Sequence, residues 1–165
     1  MGFSPPSRGF SNGHTMSLSP HTRHRWPEVL ASAAAIWLCA AFAHAESIAV
    51  IVNKNNSSEP LREVAVASMY HGETIHWPNG ERIKLVNREI SAPIRKQFYG
   101  HVLNAASDEV FYRQGTPIPV QSVIERSDET VVSFVATIEG AIGYVSLSHL
   151  KKIGSSQVKV VLIIE

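Results

Sequence analysis

The sequence predicts an α/β fold in which a mainly parallel or mixed sheet is flanked by helices. Three observations predict it. Short β-branched runs recur at Ile48–Asn53, Ala141–Val145 and Val158–Ile164, the first two apolar as buried strands are. Segments with helical spacing and helix-start residues separate these runs, and strands alternating with helices are the pattern of an α/β domain. One stretch, Val86–Phe98, reads as strand end, turn and helix in immediate succession.

The elements follow in order. Ser47–Asn53 is the first strand, of the doubly buried kind found in parallel sheets, and 54–58 is a polar turn. Ser58 is placed to cap a helix with Pro60 in its first turn. Leu61, Val64, Ala65, Ser68 and Met69 share one face of that helix, and Gly72 closes it. Trp77-Pro78-Asn79-Gly80 is a turn, and Glu81–Val86 a strand. Ser91 is a helix N-cap with Pro93 in the first turn, where a missing N–H costs little. Ile94, Phe98 and Val102 continue as an apolar stripe, and the helix runs from Ala92 to about Leu103 before 104–107 breaks it. Asp108–Arg113 is expected as a short helix, 115–119 as an extended loop and Val120–Ile124 as a brief strand. Ser127-Asp128-Glu129-Thr130 starts a helix with acidic residues in its first turn, where the helix dipole favours them. Val131, Val132, Phe134 and Val135 bury that helix, and Glu139-Gly140 ends it. A strand at Ala141–Val145, a short helix or turn at Ser148–Ile153 and a last strand at Val158–Ile164 complete the chain.

The first 45 residues stand apart. Residues 1–28 are rich in Ser, Pro, Gly, His and Arg without periodicity, 29–42 is an apolar run, and Ala43-His44-Ala45 places small residues as a signal peptidase requires. A basic region with Arg23 and Arg25, an apolar core and an A-x-A site read as a secretory signal peptide, with Met16 as an alternative start. The apolar run is short for a membrane span, which needs about 20 residues. The single cysteine, Cys39, lies inside this segment behind the bulky Ile36-Trp37-Leu38, so lipidation is not expected. Cleavage after Ala45 leaves residues 46–165 as one exported domain without cysteine, which excludes disulfides, thiolate chemistry and Cys-based metal sites. The whole chain has 15 Lys plus Arg and 14 Asp plus Glu; without Arg8, Arg23, Arg25 and Glu28 these become 12 and 13, a net charge of −1. Such a balance gives no electrostatic case for nucleic acid or a membrane surface.

The strand–turn–helix stretch is the candidate site. A helix N-terminus attracts anions through its free N–H groups and its dipole. Arg88 lies just before that terminus and Arg95 one turn inside it. The candidate anion-binding residues are Arg88, Ser91, Ala92 and Arg95. Asn53, Ser57 and Ser58, at the end of the first strand, are expected along the same edge, because α/β sheets bind ligands beyond the carboxyl ends of their strands. The plain alternative is an ordinary capped helix with two solvated arginines.

Other constellations are weaker. His71, His76, His101 and His149 show no metal-ligand spacing. Ser146 and Ser148 lack a G-x-S-x-G elbow, and Asp108/Glu109 and Asp128/Glu129 are acidic pairs at helix starts. No Gly-rich nucleotide loop is present, so no cofactor and no enzymatic activity are expected.

Taken together, the first strand, Gly72 to Trp77-Pro78-Asn79-Gly80, Val86-Asn87-Arg88 before a helix, and Glu139-Gly140-Ala141-Ile142-Gly143-Tyr144-Val145 resemble the phosphate-type substrate-binding proteins of ABC transporters. More narrowly, the chain resembles a small, single-lobe member of the periplasmic-binding-protein-like type II superfamily, over nearly all of residues 46–165. The resemblance implies one lobe of that α/β fold, a periplasmic location and a phosphate-like oxyanion as ligand. Arg88 matches the family's Arg and Ser91 its Ser, whereas Ala92 and Pro93 stand where the family has Gly and Thr, and the turn is one residue shorter. Pro93 removes one N–H and one hydroxyl donor from the cradle. A single lobe does not enclose an anion, so the resemblance further implies a second chain or envelope protein that completes the cleft. The alternative function is a periplasmic interaction or accessory module in which small-ligand binding has been lost.

Overall fold

The first strand of the sequence lies near the middle of the sheet rather than at its edge. The computed structural model describes residues 46–165; the signal-peptide reading of residues 1–45 lies outside them. Five strands, β1 (Ile48–Asn53), β2 (Lys84–Arg88), β3 (Ser122–Glu125), β4 (Ala141–Ser146) and β5 (Val158–Ile164), form one sheet in the order β3-β2-β4-β1-β5. Every residue of β1 and β4 is buried. Side chains of a strand alternate between faces. Ile48, Val50 and Val52 therefore join one core, with Tyr70, Phe98 and Tyr144, while Ala49 and Ile51 join the other, with Val131, Val135 and Leu150. Helices α1 (Glu63–Tyr70) and α2 (Pro93–Phe98) cover the first face, and α3 (Asp128–Thr137) and α4 (Leu147–Ile153) the second.

The sheet is mixed. β2 runs parallel to β3 and β4, but β1 runs antiparallel to both its neighbours, β4 and β5. The expected double burial of the first strand is present, while its expected parallel setting is not: central position alone buries both its faces. Direction decides which residues share an edge. Ile48 lies opposite Ser146 and Ile164, and Arg88 opposite Glu125, so the carboxyl ends of β2, β3, β4 and β5 meet the amino end of β1 at one edge. Asn53, the last residue of β1, lies opposite Val158, at the other edge.

Several helix boundaries differ from expectation. α1 begins at Glu63 with Arg62 as its N-cap, not at Ser58. The chain before it is drawn along β5, where the Leu61 N–H bonds to the Val161 carbonyl at 2.8 Å. The buried face is Val66, Met69 and Tyr70, with Val64 76% exposed. Gly72 closes the helix as expected, at φ +78°, its N–H bonded to the Met69 carbonyl. After α2 the chain widens into a π-helical turn, Tyr99–Leu103, ended by Asn104 in the left-handed conformation. No helix forms over 108–113. There Tyr112 bridges Pro119 across a loop whose Arg113 N–H reaches the Ile118 carbonyl at 2.9 Å, so cross-loop bonds replace helical ones. α3 carries the expected start: Ser127 and Thr130 form a reciprocal capping box.

Two features of the Trp-Pro-Asn-Gly and Gly-Ala-Ile-Gly-Tyr-Val segments fix their packing. Trp77 is buried and its indole N–H donates to the Gly140 carbonyl at 3.0 Å, so this aromatic is part of the core. A Cβ on Gly143 would stand 2.8 Å from Val131 Cγ1 and 3.2 Å from Val86 Cβ, which explains a glycine where α3 crosses β4. Gly143→Ala is expected to lower stability by about 1–3 kcal/mol through overpacking. Urea denaturation checks it, and an unchanged midpoint would show that α3 is free to move away from the sheet.

Candidate functional site at the carboxyl edge of the sheet

β2 delivers Arg88 to the carboxyl edge, where its guanidinium is taken up by the protein itself. Nε donates to the Glu125 carbonyl at 3.2 Å, Nη2 donates to the Arg126 carbonyl at 2.8 Å, and Nη1 pairs with Asp128 Oδ1. Arg88 is 8% and Asp128 6% exposed. Asp128 sits in the first turn of α3, where the helix dipole favours its charge. Its other oxygen accepts the Ser146 N–H at 3.2 Å and faces His149 Nδ1 at 3.2 Å. His149 Nε2 lies 3.1 Å from Glu129 Oε1. Ser146 Oγ accepts the His149 N–H at 3.1 Å, capping α4, and donates to Glu46, as Ser148 Oγ does at 2.6 Å. The Ser146 and Ser148 hydroxyls hold the Glu46 carboxyl below its usual range. That contact is complete above the ordinary carboxyl range and is lost as pH falls through the lowered folded value.

Behind Arg88 lies a buried aromatic and amide network. Asn87 Oδ1 accepts from the Tyr144 hydroxyl and from the Arg88 N–H at 3.0 Å, and Asn87 Nδ2 donates to the Tyr99 hydroxyl at 2.7 Å. Phe98 stacks on Tyr144 with ring centroids 3.9 Å apart. Burial pushes the Tyr70 and Tyr144 phenols up, so both stay neutral donors. Arg95 is also buried: Nε donates to the Ser107 carbonyl at 2.7 Å, Nη1 to the Arg88 carbonyl at 2.7 Å, and its guanidinium lies 4.6 Å from the Tyr99 ring centre.

The two arginines are therefore brought together, and neither is a solvated side chain. Ser91 is exposed and does not cap α2; Ala92 occupies the N-cap and Pro93 follows it at the start of the helix. The Arg95 and Lys96 N–H groups bond back to the Ala92 carbonyl, and Pro93 has none to offer, so few donors remain at this short helix end. Asn53, Ser57 and Ser58 do not share the edge, because β1 runs antiparallel to its neighbours. Asn53 donates instead to the Val135 and Ala136 carbonyls at 3.0 and 2.8 Å, closing the carboxyl end of α3. Sequence reasoning missed Asp128, Ser146, His149 and Glu46 as members of this cluster. Asp128 stood at a helix start, where the dipole already accounts for an acid, and its partner lies 40 positions away.

No protein-family model matches the chain, and no curated protein matches it. Solved structures do. The chain is similar to an ABC-type phosphate transport receptor from Vibrio cholerae at 18% identity and TM-score 0.56, covering 70% of this chain and 45% of that one. It is similar to PstS from Borrelia burgdorferi at 16% identity and TM-score 0.55, covering 70% and 46%. A phosphate ABC transporter substrate-binding protein with bound phosphate, from Clostridium perfringens, aligns at 21% identity and TM-score 0.50, covering 72% and 54%. The chain thus spans about half the length of these proteins.

The ion pair and the helix start make separable demands on stability. Asp128→Ala leaves the buried Arg88 guanidinium uncompensated and is expected to cost about 3–5 kcal/mol. Ser91→Ala, outside the cap, is expected to stay within about 0.5 kcal/mol. Thermal and urea unfolding of both variants check this, and a loss of about 1 kcal/mol in Ser91→Ala, typical of a removed N-cap, would contradict the placement of the cap at Ala92. Residues 46–165 form one mixed five-stranded sheet flanked by helices, a fold that this chain shares with part of the Vibrio cholerae phosphate transport receptor and of the Borrelia burgdorferi PstS.

Proposed function

We propose that the chain is an exported, non-enzymatic binding module that contacts a small phosphate-like oxyanion through Arg88 at the carboxyl edge of the sheet. The observation that carries this reading is the state of the Arg88 guanidinium. It is held from three sides by Glu125, Arg126 and Asp128, and of the five N–H groups an arginine carries, three are used in these bonds and two remain among the described residues. It stands where α/β sheets bind their ligands, beyond the carboxyl ends of β2 and β3. The bound phosphate named for the Clostridium perfringens protein supports the class of ligand, and transport receptors among the neighbours support binding rather than catalysis. Ser91 and Ala92, on the turn after β2, are the other contacting residues; Arg95 backs the site by fixing the Arg88 carbonyl. The signal-peptide reading and the resemblance to phosphate-type binding proteins support a periplasmic compartment. A ligand shares Arg88 with Asp128, so affinity is modest unless a second chain closes the edge.

A second reading has its own support. Asp128 already neutralises Arg88, and Pro93 opens α2 without an N–H. Both favour an accessory or interaction module of the envelope that has lost small-ligand binding, since fold does not fix function.

Melting curves with phosphate, sulfate or molybdate separate the two. A ligand that binds only the native state stabilises it by RT ln(1 + [L]/Kd), about 1.4 kcal/mol at ten times Kd. The expected result is a rise in Tm with phosphate that disappears in Arg88→Lys, which keeps the charge but loses the planar fork. No shift with any anion would overturn the oxyanion reading in favour of the interaction module.

A further inference from the structure

A cleft lies away from Arg88, at the amino end of β2. It encloses about 440 Å³, within the range of about 300–1,000 Å³ typical of small-molecule sites. Its floor is Met69, Ile83 and Leu85, buried in the core, and its solvent-facing apolar lining is Ile75, Val123 and Phe134. Its charged lining is of one sign: Arg82, Lys84 and Arg113 border it, and among the described residues no Asp or Glu does. None of the three is in an ion pair among the described residues. The nearest acid in sequence to the closing turn of α1, Glu73, is outside the lining and bonded to Ser68 Oγ at 2.8 Å. Three like charges around one apolar hollow repel one another and concentrate anions there. Thr74, Gln121 and Ser122 add neutral polar groups to the rim.

We propose that this cleft is a second binding site, which takes a small organic anion with an apolar body. The apolar part rests on Ile75, Val123 and Phe134, and its carboxylate lies among Arg82, Lys84 and Arg113. An inorganic oxyanion leaves the apolar lining uncovered, and a neutral apolar molecule leaves the three cations unmatched; an amphiphilic anion meets both. The site is independent of Arg88, because Lys84 and Arg88 are the first and last residues of β2.

The test is a titration of the purified protein with decanoate, with decanol as the uncharged control and inorganic phosphate as a separate arm, read from backbone amide NMR shifts. Decanoate is expected to shift the amides of 82–85 and 113–122 saturably and to bind at least about tenfold more tightly than decanol. The triple variant Arg82→Ser, Lys84→Ser, Arg113→Ser is expected to weaken decanoate by about tenfold or more. The single reversal Lys84→Glu, at an exposed position, is expected to act in the same direction, near-UV circular dichroism confirming the fold of each. Equal binding of decanol, shifts spread over the whole surface, or unchanged affinity in folded variants would overturn the proposal. Phosphate alone is expected to leave 82–85 unmoved; its effect on 88–94 reports the Arg88 reading separately.

Discussion

The buried pair of Arg88 and Asp128 is the contact on which the carboxyl edge depends. Arg88 ends β2, and its remaining bonds reach the end of β3 and the link to α3. Asp128 opens α3 and holds the end of β4 through the Ser146 N–H, and α4 through His149. Two charges taken out of water carry a desolvation penalty of several kcal/mol each, and attraction offsets it only where their other donors and acceptors are also satisfied. Here carbonyls, a backbone N–H and a helix dipole supply those partners. The result is a fixed corner joining three strands and two helices, which then presents Arg88 in one orientation.

That corner explains why a family pattern and a ligand site are different things in this chain. The Arg-x-x-Ser spacing is present in sequence, yet Pro93 starts α2, Ala92 takes the cap and Ser91 is left on the surface. Arg95, one turn on, is spent on holding the Arg88 and Ser107 carbonyls. Any anion at this edge meets a guanidinium already paired with a carboxylate.

Much of the fold was legible because its signals are local. Two of the β-branched runs are the inner strands β1 and β4 and the third is the edge strand β5, and Ser127 with Thr130 is a capping box within four residues. Gly72 ends α1 because glycine alone takes a positive φ freely. The cap read at Ser91 is in fact at Ala92: proline takes the first helical position, which makes the residue before it the cap. The same rule does not rescue Ser58, because the chain there is held by β5, a contact between residues 100 positions apart. Strand direction was not legible at all. Burial of Ile48–Asn53 says that both faces are covered, not which way the neighbours run, and so Asn53, Ser57 and Ser58 were assigned to the wrong edge. Nor does sequence pair Arg88 with Asp128, since an acid at a helix start is already explained by the dipole.

A double-mutant cycle on the pair tests the central claim most directly, with Arg88→Met, Asp128→Leu and the double variant compared by urea unfolding. If the pair organises the edge, each single change strands a buried charge and the double change does not. The expected result is a double variant more stable than the sum of the single losses, with a coupling of about 0.5–3 kcal/mol. Losses that add within about 0.5 kcal/mol would contradict it, and would mean that the two side chains stabilise the fold independently.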